Sequence, residues 1–280
     1  MKKNSHFNRL LFLFPAFFIA GGYGCSQKEQ GPEIPGWELV WQDEFAGAAI
    51  DTGKWEHEVN ARGGGNNELQ YYTARPENSY IEDGKLVIKA IKETYTGPEG
   101  TREYTSARMR TKYKGDWKYG RFDIKAKLPY GQGLWPAIWM LPSDWDYGGW
   151  AASGEIDIME LLGQEPEKVY GTLHYGGEWP GNVHTGTSYT LPGGSFSEDF
   201  HLFTLEWDST EFRWYVDGKH YQTQNEWHTT AAGYPAPFDR RFHLLLNVAV
   251  GGNWPGNPDS TTVFPQTMMV DYVRVYQKAK

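Results

Sequence analysis

The stretch Glu155-Ile156-Asp157-Ile158-Met159-Glu160 sets three carboxylates among three apolar residues. In a regular strand Glu155 and Asp157 point to one face while Ile156 and Ile158 point to the other. Glu160 would then fall on the core face, where an unpaired carboxylate is costly. One extra residue at Met159, forming a β-bulge, restores the alternation: Glu160 joins the acidic face and Leu161 the core. Glu155 and Glu160 are then spaced like i and i+4, with Cα atoms roughly 13 Å apart at about 3.3 Å per residue. Leaning inward over Asp157, their carboxyls can reach about 5–5.5 Å, the separation for glycosidic cleavage with retention; inversion needs about 6.5–9.5 Å to admit a water. Three acids this close cannot all ionise cheaply, so the spacing predicts one Glu held anionic and the other protonated near neutral pH. A solvated acidic edge has the same spacing, and spacing alone leaves both readings open.

The elements around these acids read as strands and turns. Phe122, Ile124, Ala126 and Leu128 alternate with Arg121, Asp123, Lys125 and Lys127, which predicts a strand with one face on the core and one in water. Phe212, Trp214 and Val216 alternate likewise and run into Asp217-Gly218, a dipeptide suited to a tight hairpin. Similar runs occur at 85–91, 169–175, 202–207, 242–250 and 268–276, separated by Gly, Pro, Asn and Asp. Helical periodicity is not sustained anywhere over three turns. The pattern predicts an all-β jelly-roll sandwich of two antiparallel sheets, one curved enough to form a concave groove.

At 280 residues, one domain fits this class. Aromatic residues reach 16%, and 13 tryptophans imply a wide core, flat faces offered to a ligand, or both. The net charge of −8 argues against nucleic acid as partner. Residues 1–24 have a basic start (Lys2, Lys3, Arg9), an apolar run from Leu10 to Ala20 and small residues before Cys25. Eleven apolar residues are too few to span a bilayer, which takes about 20, so the segment reads as an export signal. Cys25 is the single cysteine, placed where a bacterial lipoprotein is acylated, although Gly22 stands where an aliphatic residue is usual. An ordinary exported protein with an incidental cysteine is the other reading. Residues 25–36 then form the lipidated cysteine and a polar linker, and 37–280 a single domain of clearly acidic charge. The lipid would be its one membrane attachment, in a bacterial outer membrane, on the periplasmic or outer surface.

The segment GEIDIMELLG resembles the active-site signature of glycoside hydrolase family 16 in the bulged form of its laminarinase-like members. Further matches follow in the family's order: WQDEFAG, NNELQYYT, YTSARMRTK, YGRFDIKAKLPYGQGLWPAIWMLP, GTLHY, LLLNVAVGGNWPG and VDYVRVYQ, covering nearly all of 37–277. The resemblance implies a concanavalin A-like sandwich that cuts internal β-1,3 bonds of laminarin-like glucans, mixed-linkage glucans being a further substrate. In it Glu155 is the nucleophile, Glu160 the acid/base, and Asp157 the partner that tunes both or a plain structural acid. His174 matches a family histidine beside the acid/base.

Trp135, Ala137 and Trp139 share one strand face, a stacking platform for sugar or a piece of core. Asn66, Glu68 and Arg108 match polar positions directed at the cleft, and a Glu68–Arg108 ion pair is the alternative for the latter two. Asn247, in LLLNVAV, is read either as a cleft amide or as a core amide satisfied by backbone. The resemblance implies no cofactor for catalysis and a structural calcium held by Glu44, Asp271 and the carbonyl of Gly84. A monomer is expected of an enzyme that must admit a polymer. The readings set against a glucanase are a non-catalytic glycan-binding jelly roll, which needs the aromatics but not three aligned acids, and a related hydrolase of agar or carrageenan. Met159 argues against the specialists for mixed-linkage glucan or xyloglucan, which tend to lack the bulge, and the acidic charge against sulfated galactans.

Overall fold

The computed structural model describes Met1 and residues 31–280. The export signal, Cys25 and residues 26–30 therefore lie outside the described residues. The described chain forms two stacked sheets, with a single 3-10 turn at Gly63–Gly65 and no α-helix among the described residues. This is the jelly-roll sandwich that the alternation predicts.

The eight-stranded sheet runs Asn182–Thr190, Lys168–Gly176, Glu155–Leu161, Leu134–Pro142, Phe242–Val250, Arg108–Arg110 and Glu56–His57, with Asp116–Trp117 also on Phe242–Val250. The ten-stranded sheet runs Lys219–Gln224, Phe212–Val216, His201–Trp207, Gly120–Lys127, Gln266–Lys278, Lys85–Gly97, Gly100–Ser106 and Gln70–Tyr72. Trp37–Asp43 and Ser79–Glu82 attach beside this path. Every ladder is antiparallel except the short parallel pair Gln70–Tyr72 with Gly100–Ser106. The Asp217-Gly218 hairpin forms as expected: both residues have positive φ (50° and 76°), the backbone a tight primed turn needs.

The core fills the space between the sheets. Phe122, Ile124 and Ala126 project into it from one sheet, and Ile156, Ile158 and Leu161 from the other. Both roles expected of tryptophan occur: Trp55, Trp207 and Trp214 are fully buried, whereas Trp145, Trp179 and Trp254 are exposed. Trp214 also links the sheets, since its Nε1 donates to the Asp157 carbonyl at 2.9 Å, directly behind the acids.

Two expectations are corrected. Asp123 does not face water but is buried on the outer face, accepting a hydrogen bond from Thr204 Oγ1 (2.7 Å) and pairing with Arg121 (3.0 Å). Alternation fixes which face a side chain takes; neighbouring strands decide how wet that face is. The fold also begins before Trp37. Ile34 bridges Trp37, and the Gly31 amide donates to Gln42 Oε1 at 3.1 Å, so these two residues touch the sheet while Pro32, Glu33, Pro35 and Gly36 stay exposed.

Candidate active site

Glu155–Leu161 lies between Leu134–Pro142 and Lys168–Gly176. Glu155 pairs with His174, Asp157 with Thr172 and Glu160 with Tyr170, so from Asp157 to Glu160 this strand advances three residues while its neighbour advances two. The bulge is present. On the other side Met159 pairs with Ile138 and Asp157 with Trp139, which makes Ile158, not Met159, the extra residue against that strand. The effect on direction is the expected one: three acids take the concave face, and Ile156, Ile158, Met159 and Leu161 are buried in the core.

The acids do not sit on an open edge. They line a cleft of about 720 Å³ together with Asn66, Glu68, Arg108, Trp135, Trp139 and Asn247, every cleft residue expected from the sequence except His174. His174 stands beside them, with Nε2 3.3 Å from Asp157 Oδ2 and 3.7 Å from Glu155 Oε1. Asp157 is only 2% exposed. Trp150 Nε1 donates to Glu155 Oε2 (2.8 Å), and Trp135 Nε1 donates to Glu160 Oε1 (3.0 Å). Each glutamate is thus held by one indole through one oxygen, and the other oxygen of Glu155 faces His174.

Burial and the negative charge of Asp157 push Glu155 up to about 7, against the opposing pull of His174 and the Trp150 hydrogen bond. The same two causes, burial first, push Glu160 well above the carboxylate range. Burial alone would lower His174, but its hydrogen bond to Asp157 and the charges of all three acids outweigh that and raise it to about 9. Near neutral pH the site therefore holds an imidazolium beside two glutamates that both keep their protons more readily than free carboxylates. Two glutamates of raised proton affinity flanking a third acid are the parts from which a nucleophile and a general acid are made.

A family model described as "Glycosyl hydrolases family 16" matches residues 65–274. The chain belongs to this family. It is 46% identical over 265 residues to glucan endo-1,3-beta-glucosidase A1 of Niallia circulans, covering 88% of this chain and 39% of that longer protein. It is 44% identical over 279 residues to the beta-glucanase of Rhodothermus marinus, covering 94% of this chain and 93% of the relative. The solved laminarinase of Rhodothermus marinus superposes with a TM-score of 0.79 at 44% identity, over 89% of this chain and all of that one.

Within this family 16 site the open alternatives resolve. Arg108 does not pair with Glu68. Its guanidinium pairs with Glu58 (2.8 Å) and lies 4.5 Å from the centroid of the Trp139 ring, a partner the spacing gave no sign of. Glu68 Oε2 instead accepts from Gln70 Nε2 (2.7 Å) and Tyr72 OH (3.3 Å). Gly64, with φ of 57°, packs so closely on the Glu68 carboxylate that a Cβ there would collide with it. Asn247 Oδ1 accepts from Trp139 Nε1 at 2.7 Å and the residue lines the cleft, so it is a cleft amide bonded to an indole rather than to backbone. Sequence reasoning missed Trp145, Trp150, Trp179 and Asn253 on the cleft wall. For Trp150 the available signal was its position five residues before Glu155.

The calcium reading does not fit its residues. Both carboxylate oxygens of Glu44 take hydrogen bonds from Arg274 (2.7 and 3.0 Å), and Asp271 lies 3.7 Å from Lys125 Nζ. Cations of the chain already balance these acids. Glu155, Asp157 and His174 offer donor atoms within 4.8 Å of one another, the one such trio among the described residues, but the imidazolium supplies the positive charge there.

Proposed function

We propose that this protein is an endo-acting β-1,3-glucanase that hydrolyses laminarin-like glucans with retention of anomeric configuration. The observation that carries the reading is the bulged strand: three carboxylates on one face of an indole-walled cleft, with the proton affinity of both glutamates raised by burial and by Asp157.

Glu155 attacks the anomeric carbon while Glu160 gives its proton to the departing glycosidic oxygen, leaving a glycosyl ester on Glu155. Glu160, now a carboxylate, takes a proton from the water that attacks the same carbon, and the ester bond to Glu155 breaks. Two inversions give net retention. Asp157 holds His174 as an imidazolium, and its negative charge keeps the proton on Glu160. Nucleophile and proton carrier both belong to the chain, so the reaction needs no cofactor. Trp135 and Trp139 offer apolar faces to the sugar rings, with Arg108, Asn66, Glu68 and Asn247 to meet hydroxyls.

Product analysis of residues 26–280 on laminarin, mixed-linkage glucan, agarose, carrageenan and xyloglucan tests this. Short β-1,3 oligosaccharides from laminarin, absent with Glu155→Gln, are expected; binding without cleavage, or cleavage of agarose or carrageenan alone, overturns the substrate reading. We also propose that the enzyme is a monomer exported to a bacterial outer membrane and anchored by lipid on Cys25. Cys25→Ala is expected to move it from the membrane to the soluble fraction, and an unchanged distribution would refute the anchor.

A further inference from the structure

We propose that the sandwich carries a second glucan-binding site, a groove on its side edge that holds the polymer while the cleft cuts it. This rests on the glucanase reading above and extends it to a surface with no part in the chemistry. The groove lies where the edge strands of the two sheets, Asn182–Thr190 and Lys219–Gln224, come together. Thr185 Oγ1 donates to Gln224 Oε1 and Gln224 Nε2 to the Thr185 carbonyl (2.9 Å), closing the edge with side chains rather than a ladder.

Two adjoining hollows of about 440 and 340 Å³ open there and share Asn225 and Glu226. Neither shares a residue with the catalytic cleft. The first is walled by hydroxyls and amides, among them Thr187, Gln222 and Gln224. The second adds Trp227, His228 and Tyr234.

Tyr234 is the decisive residue. It is 57% exposed, yet its ring stacks on buried Trp227 (centroids 5.2 Å, 28° between planes) and its hydroxyl donates to the Ser209 carbonyl at 3.1 Å. Trp227 is fixed in turn by its Nε1 bond to the Pro235 carbonyl (2.9 Å) and by edge packing on Phe212 and Phe238. The loop is tied to the sheet through Gly176 N to His228 O and Thr230 N to Gly176 O, both 3.0 Å. The result is an aromatic face held rigid in water, which a ligand binds without paying the entropy of ordering it.

The chemistry of the walls names the ligand. Planar amides and hydroxyls beside a flat ring suit a chain of neutral sugars. The lining contains no lysine or arginine, and its one charged side chain is Glu226, a poor match for phosphate, sulfate or nucleic acid. One strand, Lys168–Gly176, stands between the edge strand Asn182–Thr190 and the strand of the acids, about 10 Å from edge to acids across the sheet, and a glucan chain turning over that edge reaches both.

The test compares a long substrate with a short one. Tyr234→Ala is expected to raise KM on polymeric laminarin roughly 3–10-fold, the worth of one aromatic stack. Turnover of a β-1,3 oligosaccharide only long enough to fill the cleft should stay unchanged, and Tyr234→Phe should restore the polymer value. Asn225→Ala/Glu226→Ala, at two exposed side chains, gives a weaker effect of the same kind should the tyrosine variant fold poorly. Depletion by insoluble β-1,3-glucan, read in a Glu155→Gln background with and without Tyr234→Ala, reports binding apart from cleavage. Wild-type cleavage with identical polymer kinetics and depletion in the Tyr234→Ala and Asn225→Ala/Glu226→Ala proteins overturns the groove alone. Parallel loss on polymer and oligosaccharide also overturns it, because the cleft itself would be disturbed. A wild type that neither cleaves nor binds β-1,3-glucan overturns the glucanase reading with it.

Discussion

Both outer faces of the sandwich bury carboxylates on a central strand, and they treat them in opposite ways. On the ten-stranded sheet Arg121 pairs with Asp123 and Glu206 (both 3.0 Å), and Arg213 takes the other oxygen of Glu206 (3.0 Å). Burial pushes Asp123 up, but Arg121 and Thr204 oppose it. On the eight-stranded sheet Arg108 lines the cleft, but its ion pair goes to Glu58 rather than to the three acids. Glu155, Asp157 and Glu160 share one imidazolium and two indole N–H groups. The first face spends its charges on holding the fold. The second leaves them poorly neutralised, and burial together with that shortfall raises the proton affinity of both glutamates, as a two-step displacement that must carry a proton needs.

The largest break in this contrast is catalytic. Glu155→Gln is expected to lower kcat by roughly 10⁴-fold or more, and Glu160→Gln by about 10²–10⁴-fold, measured on laminarin, while Asp123→Asn on the other face leaves kcat within a few-fold of wild type. The next is structural: Arg121→Leu strands Asp123 inside the sheet and is expected to cost about 2–4 kcal/mol in urea unfolding, with kcat unchanged.

Third, Glu155→Gln should stabilise the protein, and the sign follows from linkage. A carboxylate whose folded pKa is raised destabilises the fold as pH climbs from its unfolded value toward about 7. The gain is therefore absent below about pH 4 and grows to about 1–3 kcal/mol by pH 8. Melts at the two pH values check it, and an equal gain at both would show that the buried charge of Glu155 is not the cause.

How much of this the sequence disclosed depended on whether the information was local. Strand parity gave the core faces, the Asp217-Gly218 turn and the need for a bulge, because each is settled within a few residues. The partner of Arg108 was not legible: Glu58 lies 50 positions earlier on the chain and meets it only once the sheet is assembled. Asp123 was misjudged for the same reason, its wetness being set by His201–Trp207 and Gln266–Lys278 on either side. The bulge was right in kind: against Lys168–Gly176 Ile158 and Met159 both lack a partner, and only against Leu134–Pro142 does the extra residue fall at Ile158, since parity counts the residues but does not say which loses its partner. Trp150 sits in a loop without periodicity, so nothing beyond its nearness in sequence to Glu155 hinted at the bond between them.

That bond offers the smallest and most specific test. Trp150→Phe keeps a flat ring on the cleft wall and removes only the N–H donated to Glu155 Oε2. A hydrogen bond to the ionised form lowers a carboxyl pKa, so its loss must raise that of Glu155 above its present value of about 7. Because Glu155 acts as a carboxylate, the acid limb of kcat/KM should move to higher pH, with a loss of a few-fold at pH 6 that shrinks toward pH 8. The alkaline limb, set by Glu160 and its bond from Trp135, should stay where it is. A loss independent of pH would mean that Trp150 serves the substrate rather than the nucleophile. A Trp135→Phe protein probes the other side: it should shift the alkaline limb upward and leave the acid limb in place.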